Sequence, residues 1–191
     1  TVRQYTDSLI NPAGGNLTLI SGDANLSLNV AANTATVPLY YQAKQLDRAS
    51  FRTNVGAPSG LEFAENHIYN LTAMVDETNT QSSFDQPITI TITYTDQEIA
   101  GLDEATLTIK RYSGGAYSDL NCTQDTSANT ITCTTTNFSA FVLAGETASS
   151  GGGGSSSGGG GSSSGGGGGS SSGSSSSSSS SSGGSASSST G

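Results

Sequence analysis

The chain has 191 residues, six basic against fifteen acidic, for a formal net charge of −9. Every one of those charges precedes Ser149, so an acidic module of roughly 148 residues, the size of one domain, is followed by 43 residues that carry none. Nucleic acid and anionic membrane surfaces demand clustered Lys and Arg, and a membrane span demands about 18 apolar residues in a row; the sequence offers neither.

The opening Thr1-Val-Arg-Gln-Tyr5 lacks a signal-peptide pattern and reads as the interior of a mature chain or processed fragment. From there the side-chain period is two. Leu17 and Leu19, then Leu26, Leu28 and Val30, alternate with Asn, Thr and Ser, and Val37, Leu39 and Tyr41 continue the rhythm. Gly14-Gly15, Ser21-Gly22-Asp23 and Ala31-Ala32-Asn33 mark turns between these runs. Gln42–Thr53 breaks the period and suits one or two helical turns carrying Lys44, Arg48 and Arg52. Ile88, Ile90 and Ile92 against Thr89, Thr91 and Thr93 form the clearest half-buried strand.

Thr95-Asp-Gln-Glu98 is a capping box, predicting a short helical turn stopped by Gly101 and leading into a strand over Thr106–Tyr112. Strands over Ala116–Thr123 and Thr130–Thr136, joined by the turn formers Gln124–Asn129, place Cys122 and Cys133 in one hairpin. That proximity predicts a disulfide; two free, half-buried thiols are the alternative. A disulfide in turn favours an oxidising, extracellular compartment. Phe138, Phe141 and Leu143 close the module. Alternating runs with short turns predict an all-β fold over residues 1–148, an antiparallel β-sandwich of about eight strands with one or two short helical turns.

Asn16, Asn25, Asn70, Asn121 and Asn137 each begin an N-x-S/T triplet and are glycosylation candidates, which agrees with extracellular placement. Catalytic chemistry finds less. His67, the single histidine, reads as a strand-edge or turn residue, since a hydrolase needs a nucleophile beside its base. Two cysteines and one distant histidine fall short of a zinc set. Asp76-Glu77, Asp96 with Glu98, and Asp103-Glu104 match no calcium-loop spacing; Asp96 and Asp103 read as turn caps. The expectation is no enzyme, no metal and no cofactor. A binding surface would draw on Tyr40, Tyr41, Tyr69, Tyr112 and Tyr117, for each of which core packing is the default.

An ordered series then stands out: Phe84-Asp-Gln-Pro87-Ile-Thr-Ile-Thr-Ile-Thr-Tyr94-Thr-Asp96, Ile99-Ala-Gly101-Leu-Asp-Glu104-Ala-Thr-Leu107, and Tyr112-Ser-Gly-Gly-Ala-Tyr117. It resembles a β-sandwich module of secreted bacterial surface proteins, similar to the domain shared by zonula-occludens proteins, ankyrins and netrin receptors. The resemblance spans about Asn11 to Gly145, with Tyr94–Leu107 its most specific stretch. Family members close on His-Phe-Ser or a close variant, and in some the serine attacks the preceding carbonyl and cuts its own backbone. Here the triplet is Asn137-Phe138-Ser139. The resemblance makes Ser139 the candidate nucleophile for cleavage at Phe138–Ser139, but asparagine cannot take up the proton as histidine would. The competing reading has Phe138 and Phe141 plugging the sandwich.

Residues 149–191 are serine and glycine apart from Ala186 and Thr190. With no apolar side chains they cannot offset the roughly 1–2 kcal/mol per residue that ordering costs. Three roles compete. A flexible stalk of this length spans about 35–40 Å. Sugars on serines such as Ser155, Ser156 and Ser157 would stiffen it into a mucin-like stem. Alternatively, the GGGG-SSS repeat, with a period near seven, packs side by side into the spine of a fibre. Together these features predict a non-catalytic structural module of a prokaryotic cell surface or filament, attached to the surface or self-associating. An adhesive module binding glycan or protein is the first alternative and self-cleavage the second.

Overall fold

The computed structural model describes residues 4–21 and 24–149. In chain order they form β1 (Tyr5–Ile10), β2 (Gly15–Ser21), β3 (Ala24–Val30), β4 (Leu39–Gln45), α1 (Arg48–Asn54), β5 (Glu62–Met74) and β6 (Thr80–Gln81). There follow β7 (Ser83–Thr93), a 3-10 turn (Glu104–Thr106), β8 (Thr108–Ser113), β9 (Ala116–Asp119), β10 (Asn121–Asp125), β11 (Thr130–Asn137) and β12 (Ala140–Gly145). All pairing is antiparallel. One sheet runs β1-β4-β5-β12-β8-β9, with β6 also on β5; the other runs β10-β11-β7-β3-β2. The all-β sandwich expected from the period of two is therefore present. Its strands outnumber the runs visible in sequence because short pieces such as β1, β6 and β9 carry little periodic signal.

The core lies between the sheets. In the five-stranded sheet Leu17, Leu28, Ile90, Cys133 and Cys122 share one inward row, and Leu19, Leu26, Ile92 and Ile131 the next. Ile88, Ile90 and Ile92 are fully buried, each worth about 1.5–3 kcal/mol of transfer free energy. Facing them are Tyr41, Tyr69, Leu71, Phe141, Leu143 and Ile109 of the larger sheet. The turn into β2 needs glycine at one point. Gly14 has φ +90°, and a Cβ there would lie 2.6 Å from the Val30 carbonyl oxygen.

Three local expectations change. Residues 42–45 belong to β4 rather than a helix, because Tyr41, Ala43 and Gln45 continue the inward alternation. The helix starts after Asp47, whose side chain accepts from the Ser50 amide (2.8 Å) and hydroxyl (2.6 Å). The strand expected over Thr106–Tyr112 starts later, at Thr108, since Asp103 caps a 3-10 turn by accepting from the Ala105 amide at 3.1 Å. The expected strand over Ala116–Thr123 is two strands. At Leu120 the chain leaves the larger sheet as β9 and enters the other as β10.

The larger sheet also carries a second apolar cluster on its outer face. Phe63, Ile68, Val142 and Ala144 are packed there against Leu46, Phe51 and Tyr117, so α1 lies over them through Phe51. The serine-glycine segment, with Ser155, Ser156 and Ser157, falls outside the described residues apart from Ser149.

Candidate functional site

Cys122 and Cys133 stand directly opposite each other on β10 and β11 and are joined by a disulfide, with Cα atoms 4.1 Å apart. The bond completes an inward apolar row and ties the edge strand β10 to the sheet.

The outward face of the same five strands is a register-matched polar field. Strand by strand from β2 to β10, its rows read Asn16-Asn29-Thr89-Thr134-Asn121, then Thr18-Ser27-Thr91-Thr132-Thr123, then Ile20-Asn25-Thr93-Thr130-Asp125. Neighbours within a row stand about 4.8 Å apart, and successive rows about 6.8 Å apart along the strands. Thr91 and Thr132 hydroxyls meet at 3.0 Å, and Asn29 Nδ2 donates to Asn16 Oδ1 at 2.6 Å. Asp125 at one corner is the one charged residue of these rows. Three glycosylation candidates, Asn16, Asn25 and Asn121, occupy this face. Asn70 is on the outer side of β5, in register with Lys44 and Ala140, and Asn137 sits where the β11–β7 register shifts.

Ser139 and its neighbours adopt a packing arrangement. Phe138 is buried, its ring 4.8 Å from Phe84 and 6.0 Å from Tyr41. Asn137 Nδ2 donates to Thr136 Oγ1 at 3.0 Å, not toward Ser139. Ser139 Oγ is buried without a hydrogen-bond partner. No base stands against that hydroxyl among the described residues.

His67, expected at a strand edge or in a turn, is instead fully buried within β5. Its Nδ1 lies 2.9 Å from the Tyr69 hydroxyl and its Nε2 lies 3.2 Å from Glu98 Oε2. Because a carboxylate only accepts, Nε2 donates in that pair. Glu98 also accepts from the Thr95 amide and hydroxyl, both at 3.0 Å, while the Glu98 amide bonds Thr95 Oγ1 at 3.3 Å. The capping box read from sequence is thus formed, though over a hydrogen-bonded turn rather than a helix. Burial by itself pushes the Glu98 carboxyl up; His67 and the Thr95 bonds outweigh it and leave it below the ordinary 4.5. Burial likewise raises the Tyr69 hydroxyl, and pushes Tyr41 and Tyr117 up to about 12. This network fastens β5 to the turn over it and presents no open nucleophile.

No protein-family model matches the chain, and no curated protein matches it in sequence.

The remaining candidates scatter. Tyr41 and Tyr69 are core residues, Tyr40 is exposed on the outer face of β4, and Tyr112 and Tyr117 pair at 5.0 Å beside Phe51. They form no single binding face. Asp96 accepts from Asn129 Nδ2 at 3.2 Å instead of capping a turn. Asp76 folds its own loop, accepting from the Asn79 side chain and from the Thr78 and Asn79 amides, the last two at 2.9 Å each; the Asn79 side chain first, and then the bonds from Thr78 and the Asn79 amide, lower its carboxyl to about 2. Among the described residues no group of three or more His, Cys, Asp or Glu is placed to hold a metal ion, and no helix is long and apolar enough to cross a membrane. Sequence reasoning did not single out Arg111. The alternation Leu107, Ile109 carried one step further places it on the inward face.

Proposed function

We propose that the chain is a non-catalytic, extracellular structural module of a prokaryotic cell surface or filament, a sandwich displayed on a glycan-bearing serine-glycine tail. The observation that carries this reading is the outward face of the five-stranded sheet. Three in-register rows, all Thr, Ser and Asn but for Ile20 and Asp125, with three N-x-S/T acceptors among them, form a hydrated, nearly uncharged surface suited to sugar attachment and exposure to solvent. The disulfide across β10 and β11 agrees with an oxidising compartment, and the resemblance of Tyr94–Leu107 to modules of secreted surface proteins points the same way. The Ser139 hydroxyl, with no base beside it, supports packing over self-cleavage.

The test is native material from the producing organism. Intact mass above 19.0 kDa, sugar mapped to Asn16, Asn25 or Asn121 and to tail serines, and surface-bound or filamentous protein by negative-stain microscopy are the expected results. Deleting Ser149–Gly191 should release the sandwich from the surface or abolish the filaments. An unmodified mass together with freely diffusing monomers overturns the reading.

A further inference from the structure

Arg111 is out of place in this molecule. It lies opposite Phe141 of β12 and Ser118 of β9, and Phe141 is fully buried in the core, so residue 111 belongs to the inward face of the larger sheet. Arg111 is half-buried, and a cation partly withdrawn from water is costly to the extent that it is unpaired. The acidic module holds fifteen carboxylates, and Arg48, Arg52 and Lys110 each meet one: Glu65, Glu62 and Asp119. Arg111 meets none among the described residues. Its one polar side-chain contact runs from Nε to Ser118 Oγ at 3.5 Å, at the limit of a hydrogen bond.

Arg111 lines a groove of about 360 Å³ beside the crossing of the chain from β9 to β10, where Asn121 and Thr134 of the outward face of the five-stranded sheet also line it. Ser118, Asn121, Thr134, Thr136 and Asn137 supply its polar wall. Asp119 also lines it, and the ammonium of Lys110 offsets that charge. The volume is at the low end of ordinary small-ligand sites.

We propose that this groove binds an acidic sugar, with Arg111 gripping the carboxylate of a hexuronate unit while the hydroxyl and amide wall takes up the ring hydroxyls. A guanidinium fork matches a carboxylate bidentately. One cation fits a monoanion, whereas a phosphate or sulfate cluster in a module of charge −9 would require more positive charge than the groove holds. No aromatic ring lines the cavity; Pro87 and Leu120 are its apolar lining, against a majority of hydroxyl and amide side chains that suit ring hydroxyls better than peptide side chains. The inference does not depend on sugar at Asn16 or Asn25, and it requires the Asn121 side chain to be free.

The experiment uses the full chain made in a host without N-glycosylation, because Asn121 and Asn137 flank the groove. Amide chemical shifts are followed while methyl galacturonide, its uncharged counterpart methyl galactoside, inorganic phosphate or a short neutral peptide with a free C-terminal carboxylate is added. The monoanionic methyl galacturonide should shift Arg111, Ser118, Asn121 and Thr134, and the other three should not. Arg111→Gln should weaken binding about tenfold or more, the effect of losing a charge-assisted hydrogen bond. Thr136→Asp, at an exposed position of the groove lining, adds a rival carboxylate to the groove and should weaken binding similarly without touching the core. The proposal is overturned by the absence of shifts at millimolar methyl galacturonide, by equal binding of methyl galactoside, phosphate or the peptide, or by binding that survives Arg111→Gln.

Discussion

The two sheets bury their side chains differently. The five-stranded sheet is apolar on one side and a Thr/Asn field on the other, so β3 and β7 alternate cleanly. The larger sheet is apolar on both sides near its centre: every residue of β12 from Phe141 to Gly145 is buried. Phe141 and Leu143 face the main core, while Val142 and Ala144 face the cluster under α1. A sheet with a wet face can display groups to solvent along its whole breadth. A sheet covered on both faces serves as the scaffold, and here the inward-facing Arg111 is found near its edge, at the groove.

The sharpest break of that comparison is a pair of outer-face substitutions. Phe63→Ala, in the cluster beneath α1, should destabilise by about 3–5 kcal/mol, as a core phenylalanine does, because Phe63 is 1% exposed and its ring lies 5.9 Å from Phe51. Thr91→Val, on the outer face of the other sheet, should stay within about 0.5 kcal/mol. Urea unfolding of both variants checks the asymmetry. Equal losses would mean that the two outer faces are energetically alike.

The disulfide comes next. Cys122 and Cys133 are 11 residues apart in sequence, and a loop of that size accounts for about 2–3 kcal/mol when closed. Replacing both by alanine should lower stability by that amount, with hydrogen exchange accelerating first in β10, the edge strand that the bond retains. Uniform acceleration across both sheets would show that the bond holds the entire sandwich and not one edge.

Legibility followed burial pattern. β7 was readable because Ile88, Ile90 and Ile92 alternate with threonines that remain wet. The Cys122–Cys133 hairpin was readable because turn formers separate two alternating runs. β12 gave the pattern poorly, since both of its faces are dry. β9 and β10 merged into one run because nothing in Leu120 announces a change of sheet. Residues 42–45 misled through their Gln and Lys, which are polar outward partners of Tyr41 and Ala43. Within the candidate sites, the capping box at Thr95–Glu98 was visible and its partner His67 was not, as 31 residues separate them in sequence. The Thr/Asn rows were equally hidden: each strand shows its own threonines, but only the pairing register lines them up.

The smallest of these effects belongs to Glu98, which fastens the turn onto β5 of the larger sheet. Its side chain is 11% exposed, and its carboxyl titrates below the ordinary 4.5 in the folded state. A carboxyl depressed by folding contributes stability above its unfolded value, and that contribution disappears as pH falls through the folded one. Stability should therefore decline below about pH 4.5. Asp76 and Asp125, both held low by loop hydrogen bonds, act in the same direction. Glu98→Gln keeps an oxygen acceptor for Thr95 but removes the charge facing His67. At neutral pH it should cost about 1 kcal/mol, and its acid limb should be shallower than that of the parent without becoming flat. Chemical denaturation from pH 3 to 7 reads both quantities. Identical acid limbs would assign the pH dependence to the exposed loop aspartates and leave the His67–Glu98 contact as packing without electrostatic consequence.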